Sequence, residues 1–396
     1  MLNIEQLHRL DLTLTELRDW LERSALPLWS TAGVEPTTGG FHERIGQDGR
    51  PMADDDRRSR VQPRQIYCFS VAHQRGLAGD WDTIVRNGLT YFEKTFLRHD
   101  GLYGALADAQ GVLIRPEYDL YNQAFALFSF SQIAASFPES RMRMEEKATE
   151  LLRLLTTHHK HPLAGFEHAD PPGVPLCSNP HMHLFEAALA WETLSERPDA
   201  WTALADEIAH LALTKFIDPG SGGLREFFDR EWNPHPSDKG RVMEPGHQFE
   251  WSWLLAQWAA LRSDNEAMAK AERLFEIGVD YGMSRDGKVA MMSLYDDFSV
   301  HDPIARMWPQ TEWLKAATRL ALVGTAERQA HYIGSAIKAA DAFREFLKTP
   351  VSGLWFDKRR PNGTLIDEPA PASTFYHILC AIYEAGANLA KLRARN

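Results

Sequence analysis

The feature that most constrains this chain is a punctuation that recurs six times along it. Gly39-Gly40-Phe41-His42-Glu43, Gly101-Leu102-Tyr103-Gly104, Gly165-Phe166-Glu167-His168, Gly222-Gly223-Leu224-Arg225-Glu226, Asp286-Gly287-Lys288-Val289 and Gly353-Leu354-Trp355-Phe356-Asp357 are variants of one pattern. In most copies glycine precedes a large apolar residue and then a polar or acidic one. Successive copies lie roughly sixty residues apart, a repeat period longer than those of the common solenoids. After each copy comes a proline (Pro63, Pro116, Pro180, Pro245, Pro309 and Pro371), and after each proline an apolar run of helical type, at residues 66–72, 124–130, 182–189, 249–255, 313–320 and 375–382. Proline suits the first helical turn, where its missing N–H costs nothing and its fixed φ fits the helix.

A second amphipathic stretch follows each such helix, as at residues 201–216, 267–281 and 326–347, and residues 4–28 supply the helix that precedes Pro63. The chain therefore reads as six helical hairpins, an all-α protein with little strand beyond short hairpins in the glycine-rich loops. One hairpin cannot bury its apolar face alone, so neighbours must stack, either into an open superhelix or into a closed ring with an inner and an outer layer. Runs such as Phe125-Ala126-Leu127-Phe128-Ser129-Phe130 are apolar on most sides, which favours the closed ring, an (α/α)6 barrel. No Ser- or Pro-rich linker interrupts residues 1–396, so the expectation is one domain.

Charge and composition narrow the function classes. The net charge is −11, and no basic stretch is interleaved with aromatics, which opposes nucleic-acid binding. Cys68, Cys177 and Cys380 are too scattered for a disulfide framework or a zinc knuckle. There is no signal-peptide core and no run of membrane-spanning length, so a cytoplasmic protein is expected, with a homodimer possible. GxGxxG, Walker, HExxH and GxSxG patterns are all absent, which leaves a nucleotide cofactor without support. The run Asp54-Asp55-Asp56-Arg57-Arg58 and the cluster His158, His159 and His161 read as a solvated loop and a solvated helix end.

The polar residues just after the prolines carry the functional signal. Arg64 follows Pro63; Glu117, Asp119 and Tyr121 follow Pro116; His181 and His183 follow Pro180; His247 and Glu250 follow Pro245; Gln310 and Glu312 follow Pro309; Ser373 and His377 follow Pro371. If the inner helices run parallel around a ring, these side chains converge at one mouth, together with six helix N-termini whose free N–H groups favour developing negative charge. His247 and Glu250 are three apart, on one helical face, as are His183 and Glu186, and Asn179 lies one turn before His183. Such spacing suits an imidazole tuned by a carboxylate. His8, His73, His99, His210 and His331 read as ordinary packing or capping residues, whereas His183, His247 and His377 occupy the same relative position in three repeats. His181 cannot point the same way as His183. Trp251, Trp308, Trp313 and Tyr67 fall near the same helix starts; Trp313 reads as core and Trp308, just before Pro309, as a wall on which a sugar face stacks.

Taken together, Pro63-Arg64-Gln65, Asn179-Pro180-His181-Met182-His183 with Glu186, the stretch Glu244-Pro245-Gly246-His247-Gln248-Phe249-Glu250-Trp251, Trp308-Pro309-Gln310-Thr311-Glu312, and Tyr376-His377 resemble the N-acylglucosamine 2-epimerase superfamily of (α/α)6 barrels. The resemblance spans nearly the whole chain and implies a sugar isomerase or epimerase without metal or redox cofactor. It implies His377 and His247 as the acid/base pair, Glu250 as the carboxylate beside them, and Arg64 and His183 as groups holding the O1 and O2 end of the sugar. Asn179, Trp308, Glu312 and Tyr121 are expected to bind substrate with them. The presence of His183 points towards the mannose isomerase and cellobiose 2-epimerase branches.

The chemistry expected is removal of the proton at C2 of an opened aldose to give a cis-enediolate. Its return to C1 makes a ketose, and its return to the opposite face of C2 makes the epimer. An unphosphorylated hexose, D-mannose going to D-fructose, is the expected substrate, with a 2-epimerase or a sulfoquinovose isomerase as the alternatives. Three competing readings are an inverting glycosidase, with carboxylates drawn from Glu117, Asp119, Glu244, Glu250 and Glu312; a helical scaffold without chemistry; and metal-assisted isomerisation.

Overall fold

A computed structural model describes residues 4–395. In chain order the helices are α1 (Ile4–Trp20), α2 (Leu26–Thr31), α3 (Val61–Gln74), α4 (Trp81–Phe96), α5 (Leu120–Ser136), α6 (Arg141–His158), α7 (Ser178–Leu194), α8 (Asp199–Leu211), α9 (Pro245–Arg262), α10 (Asn265–Tyr281), α11 (Met307–Val323), α12 (Ala326–Glu345) and α13 (Ser373–Ala394). A π-helical turn, Leu21–Ala25, joins α1 to α2, so that the pair acts as one outer helix. Helices α3, α5, α7, α9, α11 and α13 each pack on the next, and α13 packs back on α3, which closes the ring. The outer helices lie against this ring, with α1 resting on α12 and α13. The (α/α)6 barrel expected from the repeat is the architecture observed.

Residue chemistry sorts the two layers. On α5 nearly every position from Leu120 to Ala134 is buried, because inner helices have neighbours on all sides. On α4 only Trp81, Val85, Gly88, Leu89, Tyr91, Phe92, Thr95 and Phe96 are buried, the single stripe of a helix packed on one side.

The glycine-rich loops are held by a device that repeats with the fold. The side-chain amides of Gln62, Gln123, Gln248 and Gln310, near the start of α3, α5, α9 and α11, each accept from the backbone N–H and donate to the C=O of one loop residue. Those residues are Phe41, Tyr103, Leu224 and Ala290. In the third repeat His181 takes the place of glutamine: its Nε2 accepts from Phe166 N–H at 3.0 Å and its Nδ1 faces Cys177 C=O at 3.0 Å. Gly165 has φ +71°, and a Cβ there would lie 2.7 Å from His181 Nε2, so this loop needs glycine. His181 is thereby committed to structure.

The strands are short and mostly link loops of different repeats. Arg44–Ile45 pairs with Ala370–Pro371, tying the first repeat to the last, and Leu176–Cys177 pairs with Phe227–Phe228. The longest strands, Met291–Tyr295 and Val300–Arg306, form a hairpin flanked by Val242–Met243 and Lys358–Arg359. The His158 cluster differs from expectation. His159 is buried and stacks on Tyr118 at 3.8 Å, and buried His161 accepts from Trp232 Nε1–H at 3.2 Å; burial lowers the pKa of both. The loop folded over the end of α6 covers them, which local spacing does not reveal. No described helix is long and apolar enough to cross a membrane.

Candidate active site

At the mouth of the ring, where the six inner helices begin, lies a cavity of about 460 Å³. Arg64, Tyr121, Asn179, His183, His247, Glu250, Trp308 and His377 line it, all within the first two turns of their helices. Convergence of distant helix starts is thus realised. The tight packing of inner helices leaves this end the place where their polar first turns meet.

His377 and His247 stand on either side of the Trp308 indole, with ring centroids 5.7 and 5.0 Å from it. His377 Nδ1–H donates to Glu312 Oε1 at 2.8 Å, and Glu312 Oε2 lies 2.7 Å from Lys315 Nζ in an ion pair with no solvent exposure. This hydrogen bond leaves the Nε2 lone pair of His377 free. Burial, then the cations Arg64 and Lys315, hold the His377 pKa well below the ordinary histidine value. Across the indole the balance is reversed. His247 Nδ1 lies 2.9 Å from Glu226 Oε2 and 3.6 Å from Glu244 Oε2. Burial opposes its charge, but Glu226 and Glu244 outweigh burial and raise the pKa to about 10. Burial also pushes Glu244 up to about 7.

His183 completes the wall, its ring 6.4 Å from His377 and 4.9 Å from Tyr121. Its Nδ1 lies 3.3 Å from Glu186 Oε2, the pairing expected from their spacing; burial pushes its pKa down to about 3, so the ring is neutral. Glu186 also accepts from the Tyr376 hydroxyl. Arg64 Nη2 donates to Tyr121 Oη at 2.6 Å, and its guanidinium carbon sits 3.9 Å from the Phe125 ring centroid.

Two expectations about carboxylates are corrected. Glu250 is not the partner of His247: its nearest imidazole is His183, at 3.9 Å, and neither of its buried oxygens has a hydrogen bond. Burial, then repulsion from Glu312, raises its pKa well above the ordinary carboxylate value, which favours the protonated form. Helical spacing put His247 and Glu250 on one face, but loop carboxylate Glu226 approaches His247 more closely. Glu312 does not line the cavity; fully buried, it is turned towards His377 and Lys315.

Several cavity residues were not singled out as such. Glu226, His168 and Met292 each lie two residues beyond a loop residue held by Gln248, His181 or Gln310, so the repeat itself marks a cavity-facing position. Arg58, Arg60 and Arg306 join Arg64 in the lining. Arg58 is paired with Glu43 at 2.7 Å and Arg306 with Asp357 at 2.8 Å, while Arg60 meets Asp119 only at 3.7 Å. Their partners lie in the glycine-rich loops or at a helix cap, beyond the reach of local reading.

Three sets of side chains, His183 with Glu186 and Glu250, Glu226 with Glu244 and His247, and Glu250 with Glu312 and His377, bring carboxylate and imidazole atoms within 4.8 Å of one another, close enough to hold a metal. In the group of Glu226, Glu244 and His247 the two carboxylates favour the charged imidazole, which would have to give up its proton to ligate. Beside Glu312 the Lys315 ammonium already holds the place of a cation. The arrangement is suited to moving protons: a neutral imidazole with a free lone pair faces, across an aromatic wall, an imidazolium able to donate.

A closed helical ring with three histidines and an arginine at its mouth is what a sugar isomerase or epimerase of this fold would need. The chain matches the N-acylglucosamine 2-epimerase (GlcNAc 2-epimerase) family over residues 39–381 and belongs to that family. It is 55% identical over 371 residues to the mannose-6-phosphate isomerase of Rhizobium meliloti, covering 93% of this chain and 95% of that one. It is 23% identical to the D-mannose isomerase of Marinomonas mediterranea, over 87% of this chain and 90% of that one. The cellobiose 2-epimerase structure from Spirochaeta thermophila superposes with a TM-score of 0.85 at 19% identity, covering 97% and 98% of the two chains.

Proposed function

We propose that the protein is an aldose–ketose isomerase that converts a mannose-configured hexose, D-mannose in the simplest case, to the corresponding fructose. The observation that carries this reading is the opposed protonation of His377 and His247 across Trp308. In the mechanism, imidazolium His247 protonates the ring oxygen as the pyranose opens and takes up the proton that O1 releases, so that, an imidazolium again, it polarises the carbonyl. His377 Nε2 takes the proton from C2, and the electron pair of the broken C–H bond becomes the C1–C2 double bond of the enediolate. Arg64, held by Tyr121 Oη, and His247 stabilise the charge on its oxygens. His377 then returns the proton to C1, while O2 gives up its hydroxyl proton as C2 becomes the carbonyl and O1 takes one up, with His247 as the relay. Ionised Glu312 stabilises the imidazolium that His377 becomes, as the buried carboxylate does in a serine protease triad.

The relatives support aldose–ketose chemistry in two forms, one named for mannose and one for its 6-phosphate. Arg60 favours the second form, because it lines the cavity while its nearest carboxylate stays at 3.7 Å. Proton NMR in D₂O with D-mannose, D-mannose 6-phosphate, D-glucose and cellobiose tests both forms. Fructose or fructose 6-phosphate is the expected product. Glucose from mannose without fructose would make the protein a 2-epimerase, and a kcat/KM more than about 100-fold higher for the 6-phosphate would select the phosphorylated substrate.

A further inference from the structure

Lys315 has no part in the mechanism above, yet it is a wholly buried cation about one helical turn beyond Glu312 on α11. Its ammonium lies 2.7 Å from Glu312 Oε2 and 3.8 Å from the Trp253 ring centroid. Glu186 on α7, Glu250 on α9, and Cys380 and Glu384 on α13 act on it or feel its charge. Arg64, His247 and Arg306 face His377 from the other side. Helix α12 meets α11 elsewhere, where Ser335 accepts from Trp313 Nε1–H. Such a charge is expensive to bury and stays only where it is paired. Lys315 is absent from the cavity lining, so it does not touch substrate.

We infer that Lys315 is a positioning residue for proton transfer: its ammonium keeps Glu312 ionised, and ionised Glu312 holds His377 with Nδ1 protonated and Nε2 open as the base. Two neighbouring carboxyls, Glu186 and Glu250, crowd the same interior. Burial already raises the Glu312 pKa, and Lys315 is the chief influence opposing that rise. Without the ammonium, the burial of Glu312 favours its protonated form. The imidazolium formed during turnover then loses its anion, and nothing selects the Nδ1–H tautomer. The inference rests on His377 being the base, so His377→Asn is the separate test of that premise.

The experiment is the kcat–pH profile of Lys315→Met, Glu312→Gln and the double variant, using whichever hexose the wild-type protein isomerises. Lys315→Met is expected to lose roughly 100-fold in kcat at pH 7 with KM within about threefold. Its acidic limb moves up by at least about one pH unit, so the deficit shrinks as the solution becomes more alkaline. In the Glu312→Gln background, Lys315→Met adds less than about twofold in kcat, because no carboxylate remains to be kept ionised, and the limb moves less than half as far as in Lys315→Met alone, the remainder being the direct effect of the ammonium on His377. The double variant removes both charges of a buried pair, a change proteins commonly tolerate, so this arm reads even where the single variant does not fold. The inference is overturned if Lys315→Met keeps the wild-type kcat and limb, or if Lys315→Met costs about tenfold or more on top of Glu312→Gln. Loss of function in Lys315→Met without a shifted limb also overturns it, since that marks a structural role alone. If His377→Asn is fully active, the reading of the site fails first; if it is inactive and the Lys315 results go the wrong way, only the role of Lys315 falls.

Discussion

His377 and His247 are the same side chain, equally buried, a few ångströms either side of one indole, and they are driven to opposite protonation states. At the His377 corner the hydrogen-bonded carboxylate, Glu312, is shared with Lys315, burial favours the neutral form of nearby Glu250, and Arg64 adds positive charge, so burial wins and the neutral ring is favoured. At the His247 corner two carboxylates, Glu226 and Glu244, converge with no competing lysine, so the ring is charged despite equal burial. Burial alone therefore does not decide the charge of an imidazole; the count of uncompensated carboxylates around it does.

The sharpest way to break this comparison is to remove the imidazole proposed as the base. His377→Asn should lower kcat by about 10³-fold or more and abolish exchange of the C2 proton with solvent, with a retained fold by circular dichroism. Appreciable C2 exchange in that variant would move the base elsewhere. Next comes the acid: Glu226→Gln removes the closer of the two carboxylates and should cost about 100-fold in kcat. It should also shift the alkaline limb down. The charged His247 has a raised pKa, about 10, so activity that needs its proton is lost as pH rises through that value, and with one carboxylate gone the loss begins nearer neutrality. An unmoved limb would mean that the charge of His247 does not matter.

A third test separates the two kinds of histidine by stability. His183 and His181 have folded pKa values pushed down to about 3 and about 4. Above the unfolded value near 6.5 they contribute no pH dependence. Below it the unfolded chain binds protons that the folded one refuses, so stability falls. At pH 5 each should cost about 2 kcal/mol, readable as a lower urea midpoint than at pH 7. His247 acts with the opposite sign: its contribution is full below about 6.5 and is lost as pH rises towards 10. The smallest effect belongs to His181, a buried histidine that serves the loop and not the cavity. His181→Gln should leave kcat and its pH profile almost unchanged, because glutamine makes the same loop clamp in four other repeats. His181→Ala should cost about 1–3 kcal/mol in the urea midpoint by leaving Phe166 N–H unpaired. A shifted pH profile in His181→Gln would erase the line drawn between structural and chemical histidines.

The site was legible in the sequence to the extent that repeats made it so. Arg64, Tyr121, Asn179, His183, His247, Trp308 and His377 all line the cavity because each sits at a helix start, and the ring brings helix starts together. Pairings within one helix were legible only where no other segment intervened. His183 and Glu186 pair as their spacing implies, whereas His247 and Glu250 have the same spacing and do not. Glu226 reaches His247 from a loop, and Lys315 reaches Glu312 from a run that reads as ordinary helix interior. Arg58, Arg60 and Arg306 enter the cavity from loop and strand segments near the helix starts, where no helical period applies.

Hydrophobic periodicity, proline at helix starts and glycine in the loops act within a few residues, and they alone determined the six hairpins, their stacking into two layers and the end of the ring at which polar side chains gather. The charge state of each of those side chains was decided only by the tertiary structure. Electrostatic fields act through space, and the carboxylates and the ammonium that tune His247 and His377 come from loops and neighbouring helices that meet only once the ring has closed.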